Sequence, residues 1–158
     1  MTDQSSPDET SLWQRRLASQ ANNRAWTLAE LASRTAEEEE ELLHAAHAAA
    51  YFWNLIGNNS QKAQAALLAA HAHATLHMPK SAQRFLNRAL AGFAAQALAP
   101  WEQVLLSAVR AHVAAVSGQT QEHRTQYRAA MAGLASLADP DDRSILEATL
   151  RVLPAPVD

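Results

Sequence analysis

The sequence predicts an all-α fold of about seven helices arranged as antiparallel hairpins stacked into a short array. Three observations carry that expectation. Alanine is the commonest residue, 36 of 158, against four glycines, which favours helix over every other backbone state. Aromatic residues make up 6% of the chain, and long Val/Ile/Thr alternations of the kind that build sheets are absent. Apolar residues recur at helical spacing in blocks separated by short turn signals, and short loops between long helices make neighbours antiparallel.

The elements follow in order. Residues 1–7 (MTDQSSP) read as a disordered lead and residues 8–153 as a single helical domain, with 154–158 as a C-terminal tail. A first helix is expected from about Asp8 to Ser33, with Trp13, Leu17, Ala21, Ala25 and Leu28 on one stripe and a kink or split at Asn22-Asn23. Thr35 opens the second helix, and Glu38 three residues later completes a capping-box pattern. Glu37 to Glu41 place negative charge at the positive end of the helix dipole, which makes that run a solvated first turn. Leu42, Ala46, Ala49, Trp53 and Ile56 form the buried stripe, and Gly57-Asn58-Asn59 ends the helix.

The third helix is expected over about Ser60 to His77. Pro79 opens a fourth that runs to about Gln96 and buries Ala82, Phe85, Leu86, Ala89, Leu90 and Phe93. Pro100 opens the fifth, which ends at Ser117-Gly118. The sixth covers about Thr120 to Leu137 and buries Tyr127, Ala130, Met131 and Leu134. Asp139-Pro140 pairs an N-cap with a first-turn proline for a seventh helix, with Ile145, Leu146 and Leu150 inside. The four tryptophans, Trp13, Trp26, Trp53 and Trp101, read mainly as core, with Trp101 partly exposed.

A slide of 41 residues superposes the middle of the chain on itself. Ala70-His71 falls on Ala111-His112, Ala74 on Ala115, Leu86 on Tyr127 and Ala89 on Ala130, while His77 falls on Gly118 at the same inter-helix turn. These residues resemble the tetratricopeptide pattern: a small residue in the middle of the first helix, a turn glycine, then small, large and small residues along the second. The third hairpin matches with Ala111, Gly118, His123, Tyr127 and Ala130, and the second with Ala70, His77, Ala82, Leu86 and Ala89. The period of about 40 exceeds the family's 34, His77 stands where a glycine is usual, and His123 replaces a small residue. The stretch from His47 through Trp53, Gly57 and Ala63 to Ala82 is also similar to uncharacterised bacterial helical-repeat proteins.

The resemblance implies a right-handed tetratricopeptide-like array whose concave groove is lined by the first helix of each hairpin. On that footing Gln64, Leu67, His71, Ala74 and Thr75, with Leu105, Ala108, His112, Ala115 and Val116, would bind a protein or peptide segment, or a second copy of the chain in a homodimer. The competing reading is that the first or last helix fills this groove and satisfies both histidines.

Other functions have weaker footing. Net charge is -3 and lysine occurs only as Lys62 and Lys80, so the basic stripe of a nucleic-acid binder is missing. Without cysteine there is no disulfide framework and no thiolate chemistry. No stretch nears the roughly 20 apolar residues of a membrane span, and Met1 to Thr10 do not form a signal peptide, so cytoplasmic residence is expected. No nucleotide-binding, nucleophile-elbow or zincin motif occurs, which predicts a non-catalytic protein without a cofactor. The alternative is a small helical metalloprotein. His44 and His47, and His73 and His77, each share a helix face and suit one ion in pairs, although a convincing third ligand is lacking.

Overall fold

A computed structural model describes residues 7–157 of the chain, with side chains from Asp8 onward. Of the expected disordered lead, residues 1–7, residues 1–6 lie outside the described residues, and Pro7 already belongs to the first helix. Within the described range the chain is all-helical, with seven helices: α1 (Pro7–Ala29), α2 (Ala36–Ile56), α3 (Asn59–Thr75), α4 (Pro79–Phe93), α5 (Pro100–Val116), α6 (Thr120–Ser136) and α7 (Pro140–Arg151). None of these is long and apolar enough to cross a membrane.

The local chemistry of each boundary is visible in its caps. Thr35 Oγ1 accepts from the Glu38 amide at 3.2 Å while the Glu38 carboxylate accepts from the Thr35 amide at 2.9 Å, so two otherwise unpaired donors are satisfied at the start of α2. Thr35→Ala is expected to lower stability by about 1 kcal/mol, read as a shift of the urea midpoint; an unmoved midpoint would mean that the cap contributes nothing. Asn58 and Gln61 make the same reciprocal pair at the start of α3 (2.9 and 3.0 Å), and the Asp139 carboxylate accepts from Asp141 and Asp142 at the start of α7. Pro79, Pro100 and Pro140 occupy the first turns of α4, α5 and α7, where a missing N–H costs nothing.

Several expected boundaries shift. α1 stops at Ala29, not Ser33, because Arg34 folds back and its Nη1 donates to the carbonyls of Leu28, Ala29 and Leu31 at 3.2, 3.4 and 2.9 Å. These are the carbonyls that a helix C-terminus leaves without an internal partner. α1 runs unbroken through Asn22-Asn23, since helix propensity in the flanking residues outweighs two asparagines. α3 ends at Thr75 because His77 adopts a left-handed conformation (φ 53°), and α4 ends at Phe93.

The turn after α3 repeats after α5. The Met78 amide donates to the His73 carbonyl at 2.9 Å, and the Gln119 amide donates to Ala114 at 2.9 Å. The inner bonds, His77 to Ala74 and Gly118 to Ala115, match as well. Gly118 has φ 71° where His77 has 53°, so both helices close in the same C-terminal motif.

Helices pair as α1/α2, α3/α4 and α5/α6, and the first members of the pairs pack in sequence: α1 on α3, α3 on α5, α5 on α7. α3 therefore has neighbours on every side. Ala63, Ala65 and all residues from Ala66 to Ala74 are buried, and the helix lacks a polar face for that reason. Leu67 joins the main core with Leu86, Val109 and Leu150, while Leu68 joins the α1/α2 core with Leu28 and Leu42. Each fully buried leucine contributes about 1.5–3 kcal/mol of transfer free energy. Alanine at most remaining core positions lets the helix backbones approach closely.

Some residues expected inside lie outside. Trp13 and Leu17 are 54% and 43% exposed, because the first hairpin is packed against α3 on one side only. Met131 is exposed: Ala130 takes the core position of α6, and a residue one step on points about 100° away around a helix of 3.6 residues per turn. Ile145, expected inside, is 65% exposed at the edge of the cavity described below. Residues 154–157 lie against α6, with His123 Nε2 donating to the Pro154 carbonyl at 2.8 Å and Arg124 donating to Val157 at 2.7 Å. Asp158 lies outside the described residues.

Candidate functional site: a tryptophan-lined cavity over a buried histidine pair

The face formed by α1, α3, α5 and α7 carries a half-open cavity of about 560 Å³. Its walls are built from repeat-equivalent positions. Asn23, Gln64, Leu105 and Leu146 line it, one from each of the four helices, and successive members stand the same distance apart in sequence as His71 and His112, 41 residues. Trp26 and Thr149 line it at the step whose two middle members are the fully buried Leu67 and Ala108. Trp53 reaches in from α2, and Trp101 from the first turn of α5.

Two hydrogen bonds tie the walls together. Gln64 Nε2 donates to Glu102 Oε1 at 2.8 Å, joining α3 to α5. Thr149 Oγ1 donates to Glu30 Oε1 at 3.1 Å, joining the last helix to the first across 119 residues. That contact curls the face round until its two ends meet. The expected open groove is thus a recess walled by four helices. Burial raises the Glu30 carboxyl above its ordinary range, opposed by the Thr149 hydroxyl and by the charge of Arg151.

Beyond this recess, α1 covers the groove. Trp26 stacks on His71 with ring centroids 5.3 Å apart, and His71 Nδ1 lies 3.2 Å from His112 Nδ1. His71 is fully buried and His112 is 4% exposed. Two facing ring nitrogens at this distance need one N–H and one lone pair, so at most one of the two rings carries a proton on both nitrogens, and burial disfavours even that. Burial is the main cause that pushes His112 down to about 4, with the charges of His77, His123 and Arg34 adding to it. His71 is held well below its usual value by burial, then by His112 and Arg34. His71 Nε2 and the Thr75 hydroxyl are buried without hydrogen-bond partners.

The residues singled out by sequence divide accordingly. Gln64 and Leu105 line the cavity; Leu67, Ala74 and Ala108 are core; His71 and His112 form the covered pair; Thr75, Ala115 and Val116 are half-buried. Sequence reasoning missed Trp26, Trp53, Trp101, Glu30, Glu102 and Thr149. Carrying the same 41-residue step outward to the first and last helices would have found the Asn23 and Leu146 walls and the Trp26–Thr149 step.

The histidines of the metal alternative separate. His47 and His73 meet edge-to-face at 5.1 Å, both against Phe85, and His73 Nδ1 donates to the Ala69 carbonyl at 2.7 Å. His44 is exposed, and His77 sits at the turn close enough to His112 to act on its charge. Arg84 and Arg88 stack over Phe85, and His47 is pushed down by burial first and then by the charges of His73, Arg84 and His44. Among the described residues no group of three or more His, Cys, Asp or Glu is placed to hold one ion.

No protein-family profile, curated protein or solved structure matches this chain.

Proposed function

We propose that this chain is a short right-handed array of the tetratricopeptide type and acts as a non-catalytic interaction module, receiving a protein or peptide segment on the face of its first-position helices. The observation that carries this reading is the convergence of repeat-equivalent residues Asn23, Gln64, Leu105 and Leu146 on one cavity. A repeated position that lines a shared recess gives a partner several similar footholds along one line. The volume lies within the roughly 300–1,000 Å³ typical of sites that enclose a ligand group, and the walls mix indole surface with a few fixed polar groups.

A random-peptide display selection against the purified chain tests this. Selected peptides are expected to bind with dissociation constants in the micromolar range and to lose roughly tenfold or more when the recess is filled by Gln64→Trp. Failure to select any peptide, or selection only of peptides indifferent to that substitution, overturns the reading.

A further inference from the structure

We propose that the group received in the cavity is an organic cation, the guanidinium or ammonium of an Arg or Lys side chain carried by the partner segment. This inference deepens the interaction reading and rests on it.

Three indoles line the recess, from Trp26, Trp53 and Trp101, together with two carboxylates, from Glu30 and Glu102. Among the described residues lining it there is no Lys, Arg or His. Indole faces attract cations through the ring quadrupole, more strongly as water is removed, and a half-enclosed recess removes much of it. His71 stacks on Trp26, which also lines the cavity.

The carboxylates are held for the purpose by neutral donors. Glu102 accepts from Gln64 on one oxygen and from the Ala99 amide, at 2.8 Å, on the other. Glu30 accepts from the Thr149 hydroxyl. These bonds orient the two groups without neutralising them, since neither donor carries charge, and they leave lone pairs for further donors. Arg151 acts on Glu30 only through its field and forms no ion pair with it. Burial raises the Glu30 carboxyl against the opposing Thr149 hydroxyl and the Arg151 charge, and an entering cation would push it back down.

Outside the recess, the chain itself sets a guanidinium against one of these indoles. Arg15 of α1 places its guanidinium carbon 5.7 Å from the Trp53 ring centroid. Arginine has the edge over lysine, because its planar fork can stack on indole and donate to a carboxylate at once.

The test uses the intact chain and matched nine-residue Gly/Ser peptides whose central residue is Arg, Lys or citrulline, titrated by tryptophan fluorescence. Citrulline keeps the shape of arginine and lacks its charge. The Arg peptide is expected to bind at least about tenfold more tightly than the citrulline peptide, with Lys between them. Glu30→Gln and Glu102→Gln, singly and together, should erase most of that difference. Glutamine retains a carbonyl that accepts from Thr149 or from Ala99, and at position 102 its amide N–H faces Gln64, whose own amide can turn to accept, so both variants should keep the wild-type circular dichroism spectrum, and this is measured alongside. Equal binding of Arg and citrulline peptides, or an unchanged ratio in the folded double variant, overturns the inference. A display selection that yields recess-dependent peptides without basic residues sinks the cation and leaves the interaction reading standing; a selection that yields nothing sinks both.

Discussion

Acidification from pH 7 to pH 4 is expected to remove about 3 kcal/mol of folding stability through His112 alone. In the unfolded chain this imidazole has its ordinary value near 6.5, while the folded protein holds it at about 4. Between those values the unfolded state binds more protons than the native state, so stability rises with pH across the window and falls as pH drops through it. Below about 4 the native imidazole protonates too and its contribution levels off. His71, also depressed, acts in the same direction. Among the described residues the charges acting on the pair from the α1–α2 loop, the α3–α4 turn and α6 are Arg34, His77 and His123, all cationic when protonated. Glu30 opposes the trend, since a carboxyl raised by burial favours the native state once protonated, but it does so at the acid end of the window. Urea denaturation at pH 7 and pH 4 measures the difference. His112→Gln should be less stable at pH 7, yet lose much less than wild type between the two pH values. Equal losses in variant and wild type would show that the pair is not the sensor.

Much of the fold was legible because it is written in local chemistry. The Thr35–Glu38 box, the Pro79, Pro100 and Pro140 first turns and the Asp139 cap are all short-range devices, and each stands at the helix start that sequence assigned to it. Boundaries failed where a distant side chain intervened, as when Arg34 folded back onto the end of α1. Burial failed in the first helix: the spacing of Trp13 and Leu17 says that they share a face, but nothing local says whether another helix covers it.

The site was legible only in its centre. A self-comparison found the Ala-His steps of α3 and α5, and those histidines do meet. The outer walls escaped because α1 and α7 share the period but few of the residues: Ala29 repeats Ala70 and Ala111, and Leu146 repeats Leu105, without the Ala-His pair that marks the centre. Position 30 carries Glu where 71 and 112 carry His, and position 146 carries Leu where 64 carries Gln. The meeting of Glu30 with Thr149 depends on the summed rotation of all the intervening helices, a quantity that no single segment encodes.

The same period fixes two glycines whose role is space rather than backbone freedom. A Cβ on Gly92 of α4 would lie 2.8 Å from Ala63 Cβ of α3, and one on Gly133 of α6 would lie 2.7 Å from Val104 Cγ2 of α5. Both pairs join the two helices of a hairpin at equivalent places. Alanine in a helix interior is favoured over glycine by about 1 kcal/mol, so an uncrowded site would gain from Gly92→Ala. Here the opposing atom is itself a Cβ, fixed to the α3 backbone and unable to rotate away, so the helices must part. Overpacking of this kind costs about 1–3 kcal/mol, and Gly92→Ala is expected to be destabilising by up to about 2 kcal/mol after the propensity gain. Gly133→Ala should cost less, because Val104 can exchange rotamers at some cost in χ1 preference. A double-mutant cycle separates crowding from propensity. Ala63→Gly alone loses helix propensity, and combined with Gly92→Ala it moves one methyl across the same contact, leaving both propensity and packed volume nearly unchanged. The double variant should therefore fall within about 0.5 kcal/mol of wild type, with a coupling of 1 kcal/mol or more between the two sites. Additive single-site effects in the cycle would show that the two helices do not close to the distance that the absent methyl group requires.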